Sequence, residues 1–237
     1  MIDKICAAAD ALRDVADGAT ILIGGFGEAG SPTELIHALI DQGASGLTLV
    51  TNNAGNGEIG LARLIQRGRV RKLICSYPRS AHGYVFDGLY RQGRIELELV
   101  PQGTLAERIR AGGAGIPAFF TPTAAGTDLA QGKESRMFNG RPHILEQAIR
   151  ADVALIKAEA GDRWGNLIYR KAARNFGPAM ATAADLTVAQ VCRVEPLGAI
   201  DPEAIVTPSI FVQKVVHIPD PISERAHIKE LAAGQRT

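Results

Sequence analysis

The strongest constraint on the fold of this chain is an alternation through its first half, in which short runs rich in Ile, Leu and Val are separated by longer stretches with helical spacing. Residues 20–23, 47–50, 70–75 and 95–100 read as strands, and residues 4–15, 32–41, 58–66, 84–91 and 104–111 read as helices around them. Consecutive parallel strands need right-handed crossovers, and strands covered on both faces read as continuous apolar runs. The pattern therefore predicts an α/β fold: an open, mostly parallel sheet with helices on both faces.

The second half changes character. After Gly112 a stretch rich in Gly, Pro and Thr predicts a structured loop, and residues 134–138 and 143–146 flank an Asn139-Gly140 step. That dipeptide is a strong hairpin signal, so a small antiparallel excursion is expected there. Residues 153–157, 186–191 and 210–216 read as further strands, 162–166 as a turn and 174–184 as a helix. No repeat or linker divides the chain, so residues 1–218 are expected to form one domain, with the polar residues 219–237 as a peripheral tail.

Composition excludes several classes of function. Lys and Arg number 26 against 25 Asp and Glu, a formal net charge of +1, so no overall footprint for nucleic acid or anionic lipid is present. Cys6, Cys75 and Cys192 are scattered and lack CxxC spacing, which predicts neither a zinc site nor a disulfide framework and fits a reducing compartment. No apolar run approaches the ~18 residues of a membrane span. Asp3, Asp10 and Asp14 stand where a signal peptide is basic and then apolar. A cytoplasmic protein with no membrane and no nucleic-acid partner is expected.

In open parallel sheets ligands bind beyond the carboxyl ends of the strands, so those positions carry the functional argument. The first strand runs into Gly24-Gly25-Phe26-Gly27, the second into Thr51-Asn52-Asn53, the third into Ser76-Tyr77-Pro78-Arg79 and the fourth into Pro101-Gln102-Gly103. Neutral amides and glycines that permit close backbone approach suit a site for an acyl or carboxylate oxygen. The same residue types also serve turns. Residues 25–30 spell GxGxxG after a strand, the dinucleotide-binding pattern. Two features speak against that reading. Ser31-Pro32-Thr33-Glu34 reads as a capping box that starts the helix after Gly30, and no acidic residue follows at the ~20-residue offset of a ribose partner.

Candidate nucleophiles are few. No GxSxG, P-loop or HExxH occurs, and the five histidines are dispersed, His37 on a helix and His143 in the hairpin. Cys75 closes a buried strand and reads as structural. Glu58 lies near the crevice as a candidate nucleophile, against the alternative that it serves the helix dipole. The basic cluster Arg63, Arg67, Arg69, Arg71 and Lys72 reads first as a solvated face. The turn carrying Trp164, with the basic and amide residues from Arg170 to Asn175, reads as a core-packed turn, as an interface or as a ligand contact.

Residues 17–32, DGATILIGGFGEAGSP, resemble the signature of the A (alpha) subunit of family I CoA-transferases. TNNAGNGEIGLA from Thr51, VPQGTLAERIRAGGAG from Val100, FFTPT from Phe119 and DRWGNLIYRKAARNFGP from Asp162 extend the resemblance over nearly the whole chain. It implies a ping-pong reaction in which a glutamate carboxylate attacks an acyl-CoA thioester and becomes a glutamyl-CoA thioester before CoA passes to an acceptor acid. In the family that glutamate sits in a Ser-Glu-Asn-Gly segment of the B (beta) subunit, and no such tetrapeptide occurs here. The resemblance thus implies half an enzyme whose partner is the B subunit, no metal, and no cofactor beyond CoA as a substrate thioester. It assigns Gln102 as an oxyanion-hole donor and places Gly24, Gly25, Phe26, Gly27, Asn52 and Asn53 along the acyl pocket. Succinyl-CoA is the expected donor and a 3-oxo acid the acceptor, 3-oxoadipate before acetoacetate. Position alone offers Arg79 or His82 for a distal carboxylate. One departure is Thr123-Ala124-Ala125-Gly126-Thr127, where relatives commonly carry an aromatic before the glycine, and it touches substrate identity. A non-catalytic acyl-CoA- or nucleotide-binding module acting alone is the expectation from a different class.

Overall fold

The computed structural model describes residues 2–80 and 82–234. After a short helix α1 (Ala8–Leu12), strands and helices alternate as the apolar pattern requires: β1 (Thr20–Ile23), α2 (Thr33–Gln42), β2 (Leu47–Asn53), α3 (Gly60–Gln66), β3 (Val70–Tyr77), α4 (Tyr84–Arg91), β4 (Glu96–Leu99) and α5 (Gln102–Gly113). A separate antiparallel sheet is built from β5 (Ala118–Thr121), β6 (Ser135–Phe138) and β7 (Arg141–Gln147), in the order β5-β7-β6. The chain then returns through β8 (Ala151–Asp162), β9 (Leu167–Ile168), α6 (Gly177–Thr182), β10 (Ala184–Glu195) and β11 (Lys214–His217), and α7 (Glu224–Gly234) follows.

The main sheet runs β11-β10-β8-β1-β2-β3-β4, every neighbouring pair parallel, with β9 antiparallel against β8. Alternate side chains feed two cores. Ile21, Ile23, Leu49 and Leu155 pack with Leu12, Leu35, Leu39, Leu64 and Phe86 of α1 to α4 on one face. Leu22, Val50, Ala154 and Ile156 pack with Leu105 and Ile109 of α5 and Met180 of α6 on the other. The helices therefore cover both faces, as the alternation predicts. Successive units move outward from β1 to β4 and then resume on the other side at β8, so the chain order reverses between β1 and β8 and opens a crevice at their carboxyl ends.

Several local expectations differ from the fold. The helix expected over residues 4–15 is confined to Ala8–Leu12, because the preceding residues are claimed by the sheet edge: Cys6 N–H donates to Val215 O at 3.0 Å and Val215 N–H to Lys4 O at 2.8 Å. The loop expected after Gly112 contains β5, whose Phe119 and Phe120 pair with Glu146 and Leu145 far along the chain. Asn139 and Gly140 both adopt positive φ, 49° and 74°, as a two-residue hairpin turn requires. Residues 174–184 split into a 3-10 turn (Lys171–Arg174) and α6 before β10 begins. Residues 210–216 likewise divide into a 3-10 turn (Ser209–Phe211) and β11. In the segment after Pro219, Glu224 alone among the residues whose burial is described is buried, to 7% exposure, against the β1–α2 loop. Among the described residues, no helix is long and apolar enough to cross a membrane.

Candidate active site

The glycine loop between β1 and α2 sits at the switch point. Gly24 N–H donates to Leu155 O of β8 at 2.9 Å, and Phe26 N–H donates to Ala29 O at 2.9 Å to close a tight turn. Gly30 has a φ of +76°, and a Cβ there would lie 2.4 Å from Ala173 O. The third glycine of the GxGxxG string thus permits close approach of the 170–175 segment. It lies outside α2, which begins at Thr33, so the pattern is not that of a dinucleotide fold.

The expected capping box does not form. Pro32 occupies the N-cap of α2 with no side-chain cap. Ser31 Oγ donates to Glu224 Oε1 at 3.0 Å, while Glu34 Oε1 accepts from Ile222 N–H at 2.5 Å and its Oε2 from Gln190 Nε2 at 2.5 Å. A buried carboxylate competes for the serine hydroxyl, and the glutamate is turned toward the returning chain.

Around the carboxyl ends of β1 to β4 lies an open crevice of about 440 Å³ lined by Phe26, Gly27, Asn52, Asn53, Arg79 and Gln102, with Asn56, Ser76, Tyr77 and Ser80 completing the wall. Gln102, the first residue of α5, donates from Nε2 to Asn52 Oδ1 at 2.6 Å. Ser76 Oγ donates to the same oxygen at 2.8 Å, and Gly55 N–H donates to Asn53 Oδ1 at 2.8 Å. The oxygen ends of both asparagines are therefore engaged by the protein, which leaves their nitrogen ends as donors. An amide nitrogen carries two N–H groups. With one held by Asn52, the second N–H of Gln102 has no bonded partner among the described residues.

Phe26, Gly27, Asn52, Asn53, Arg79 and Gln102 meet at one crevice, as their places at the strand ends predict, whereas Gly24 and Gly25 line a smaller neighbouring space of about 20 Å³ with Ser31 and Glu224. Arg79 stands at the mouth, its side chain 73% exposed and 3.8 Å from Asp87. His82 lines a different opening beside Arg225 and Lys229. Glu58 accepts from Tyr84 Oη at 3.1 Å and lines none of these three spaces. Burial pushes the Cys75 thiol up to about 12, which makes it an inert core group. Burial, then the charge of Arg63, lowers His37, whose Nε2 accepts from Gly60 N–H at 3.1 Å. In the basic cluster Arg69 donates to Gly43 O, while Arg71 and Lys72 pair with Glu96 and Glu98. Trp164 does not pack into the core; it is 41% exposed beside a turn that Asp162 Oδ1 closes by accepting from Trp164 and Asn166 N–H.

Two residues that hold the glycine loop lie far from it in sequence, and of these only Asn175 falls within a motif, the DRWGNLIYRKAARNFGP stretch from Asp162. Asn175 Oδ1 accepts from Gly25 N–H at 3.1 Å and its Nδ2 donates to Ala29 O at 2.9 Å, so one side chain braces both limbs of the turn. Glu224 holds only the limb that leads into α2, through Ser31 and Thr33. No local spacing marks either.

The crevice thus lies at the switch point of a parallel sheet and is lined by glycines and oriented amides. Residues 5–217 match the coenzyme A transferase family, and the chain belongs to that family, as its resemblance to family I alpha subunits implied. It is 62% identical over 210 residues to the A subunit of the 3-oxoadipate CoA-transferase of Pseudomonas putida, covering 89% of this chain and 91% of the relative. It is 52% identical over 202 residues to the A subunit of the succinyl-CoA:3-ketoacid coenzyme A transferase of Xanthomonas campestris pv. campestris strain B100, covering 85% and 83%. The fold is shared with an acyl-CoA transferase of Escherichia coli O157:H7 solved as a thioester complex with CoA: TM-score 0.82, 21% identity, covering 93% of this chain and 50% of that one. The chain spans about half the length of that solved protein.

Proposed function

We propose that this chain is the A subunit of a two-subunit CoA-transferase that moves CoA from succinyl-CoA to a 3-oxo acid, 3-oxoadipate first, with the nucleophilic glutamate supplied by a B subunit. The observation that carries the reading is the Gln102–Asn52 pair: an amide donor held by one N–H on the lining of an open crevice, its second N–H without a partner among the described residues. The partner's carboxylate attacks the succinyl thioester carbonyl, and negative charge develops on that oxygen. Collapse expels CoA thiolate and leaves a succinyl-glutamyl anhydride. The thiolate attacks the glutamyl carbonyl, releasing succinate and forming the glutamyl-CoA thioester, and the acceptor carboxylate runs the sequence in reverse. Each tetrahedral stage places an oxyanion that a preoriented amide N–H stabilises more than it does the ground state. The glycine loop admits the acyl group close to the backbone, and CoA enters as substrate rather than as a bound cofactor. Arg79, on the crevice wall, is the cation placed to meet a distal carboxylate.

The test is a coupled assay of this chain alone and mixed with its B subunit, following 3-oxoadipyl-CoA and acetoacetyl-CoA formation from succinyl-CoA. Transfer is expected only in the mixture, and Gln102→Ala should lower kcat by about 10²-fold, the usual loss for one oxyanion donor. Arg79→Ala should raise KM about tenfold for 3-oxoadipate, or ~1.4 kcal/mol, and leave acetoacetate unaffected. Transfer by the isolated chain would place the nucleophile within it, and faster transfer to acetoacetate would replace the acceptor. An isolated chain that binds acyl-CoA, with no transfer in any mixture, would favour a binding module.

A further inference from the structure

The stretch from Glu28 to Glu34, which leads from the glycine loop into α2, is held by one distant segment. Ile222 N–H donates to Glu34 Oε1 at 2.5 Å, and Arg225 N–H donates to Glu28 Oε2 at 3.2 Å. Between them Glu224 Oε1 accepts from Ser31 Oγ at 3.0 Å and from Thr33 Oγ1 at 2.6 Å, all three side chains buried. The same segment touches the β2–α3 loop. Gly60 has a φ of +51°, and a Cβ there would lie 2.5 Å from Glu224 Oε1; a Cβ on Gly57 would meet Ile228 at 3.1 Å. These are the two strand-end loops that carry Gly24 to Gly27 and Asn52 to Asn56, and Glu224 walls the 20 Å³ space between them.

Residues 219–230 of the segment contribute little to the core. Among the described residues, no side chain after Ile218 belongs to either apolar cluster, and Ile222 is exposed. Its attachment is a set of polar contacts to the loops of the site, the kind of element that detaches locally while the rest of a domain stays folded. Glycines 24, 25, 27 and 30 give the loop little stiffness of its own, so its position depends on what braces it.

We infer that the carboxyl-terminal segment is a strap and that Glu224, through Ser31 and Thr33, is a positioning residue for the glycine loop of the acyl site. Glu224 itself does not touch the reacting atoms. Its carboxyl fixes two hydroxyls just after Gly30, and Asn175 braces Gly25 and Ala29, so two side chains distant in sequence clamp the loop. The consequence for catalysis, a glycine loop preorganised in shape for an acyl group, rests on the CoA-transfer reading above; the clamping of the loop does not.

The experiment compares the full chain with Glu224→Ala and Glu224→Gln, and with Ser31→Ala, which breaks the clamp from the loop side. Amide hydrogen exchange is read at Phe26 and Ser31, whose N–H groups are bonded to Ala29 O and Glu28 O. Glu224→Ala and Ser31→Ala should each speed exchange at these amides at least tenfold, while core amides of β1 and β2 are unchanged. Glu224→Gln, which keeps the accepting oxygen, should return exchange to within about threefold of the parent. In the mixture with the B subunit, kcat/KM should fall about tenfold in the alanine variants, chiefly through KM for succinyl-CoA, and recover in Glu224→Gln. Loop exchange unchanged in both alanine variants overturns the strap. So does faster exchange with unaltered kcat/KM in an active mixture. Faster loop exchange when even the parent mixture transfers no CoA upholds the clamp and overturns the CoA-transfer reading instead.

Discussion

Asn175 uses both ends of its side-chain amide. Oδ1 accepts from Gly25 and Phe176 N–H, and Nδ2 donates to Ala29 O and Ala172 O, all between 2.8 and 3.1 Å. Asn175→Ala leaves these backbone groups without their partners, at a cost of roughly 2 kcal/mol in thermal unfolding. Asn175→Asp keeps the two acceptor bonds and loses the two donors, so it should fall between parent and alanine. Glu224 gives a second residue-scale outcome. Burial raises its carboxyl, with the bonds from Thr33 and Ser31 and the charge of Lys157 opposing and Glu28 reinforcing. The folded chain therefore binds this proton more tightly than the unfolded chain does. Its contribution to stability is full below the ordinary value of 4.5 and declines as pH rises through the raised folded value. Unfolding curves at a series of pH values should show that decline in the parent and not in Glu224→Gln. Nothing about Glu224 is legible locally. A glutamate near a chain end in a polar stretch reads as solvated, and only the tertiary approach of Ser31 and Thr33 makes it otherwise. Gln102 and Asn52 are legible because parallel-sheet logic fixes where strand ends converge, whereas their mutual bond is not.

The elements that sequence locates best are those whose signal is local and periodic. β1 and α4 coincide with their expected ranges, and the Asn139-Gly140 hairpin forms because positive φ at two successive residues is a backbone requirement the pair meets readily. Elements defined by distant partners escape it. β5 becomes a strand only because β7 lies beside it, and the start of the chain leaves its helix because Val215 offers a sheet edge. The small sheet is tied to the main one by charge. Arg108 of α5 donates to Glu98 Oε1 and Gln147 O at 2.7 Å, Lys72 donates to Glu98 Oε2 at 2.6 Å, and Lys133 pairs with the buried Glu146 at 2.6 Å. Arg108→Met should therefore cost about 3 kcal/mol, read as a lower denaturant midpoint at unchanged m. Burial raises the Glu98 carboxyl, but its bonds to Lys72 and Arg108 outweigh that and hold it below 4.5. With a depressed folded value, its contribution is present above 4.5 and is lost as pH falls through the folded value, opposite in sign to Glu224. Glu98→Gln should remove that part of the acid limb.

At the scale of the whole molecule, the site is one-sided. Phe26 and Tyr77, which line the crevice, are 55% and 65% exposed, and Gln102 is exposed too. A carbonyl bound there would keep its solvent on the open side, and the oxyanion contacts would be weakened by water. Large aromatics left exposed around a polar cleft are the usual makeup of an interface anchor. Under the proposed function the crevice works as a site only when a second chain covers it, as the absent Ser-Glu-Asn-Gly segment also requires of that reaction. The sequence shows no Ser-Glu-Asn-Gly segment, whereas the exposure of Phe26 and Tyr77 around one crevice is a tertiary property that no local spacing marks. Tyr77→Asp places a charge on that lining at a side chain largely free of the protein's own packing. The isolated chain should keep its stability to within about 0.5 kcal/mol. Affinity for the B subunit, measured by calorimetric titration or sedimentation, should fall at least tenfold, or ~1.4 kcal/mol, because the charge must be desolvated against the partner. Undiminished association would move the interface away from the crevice and leave the open side of the site to be closed by some other means.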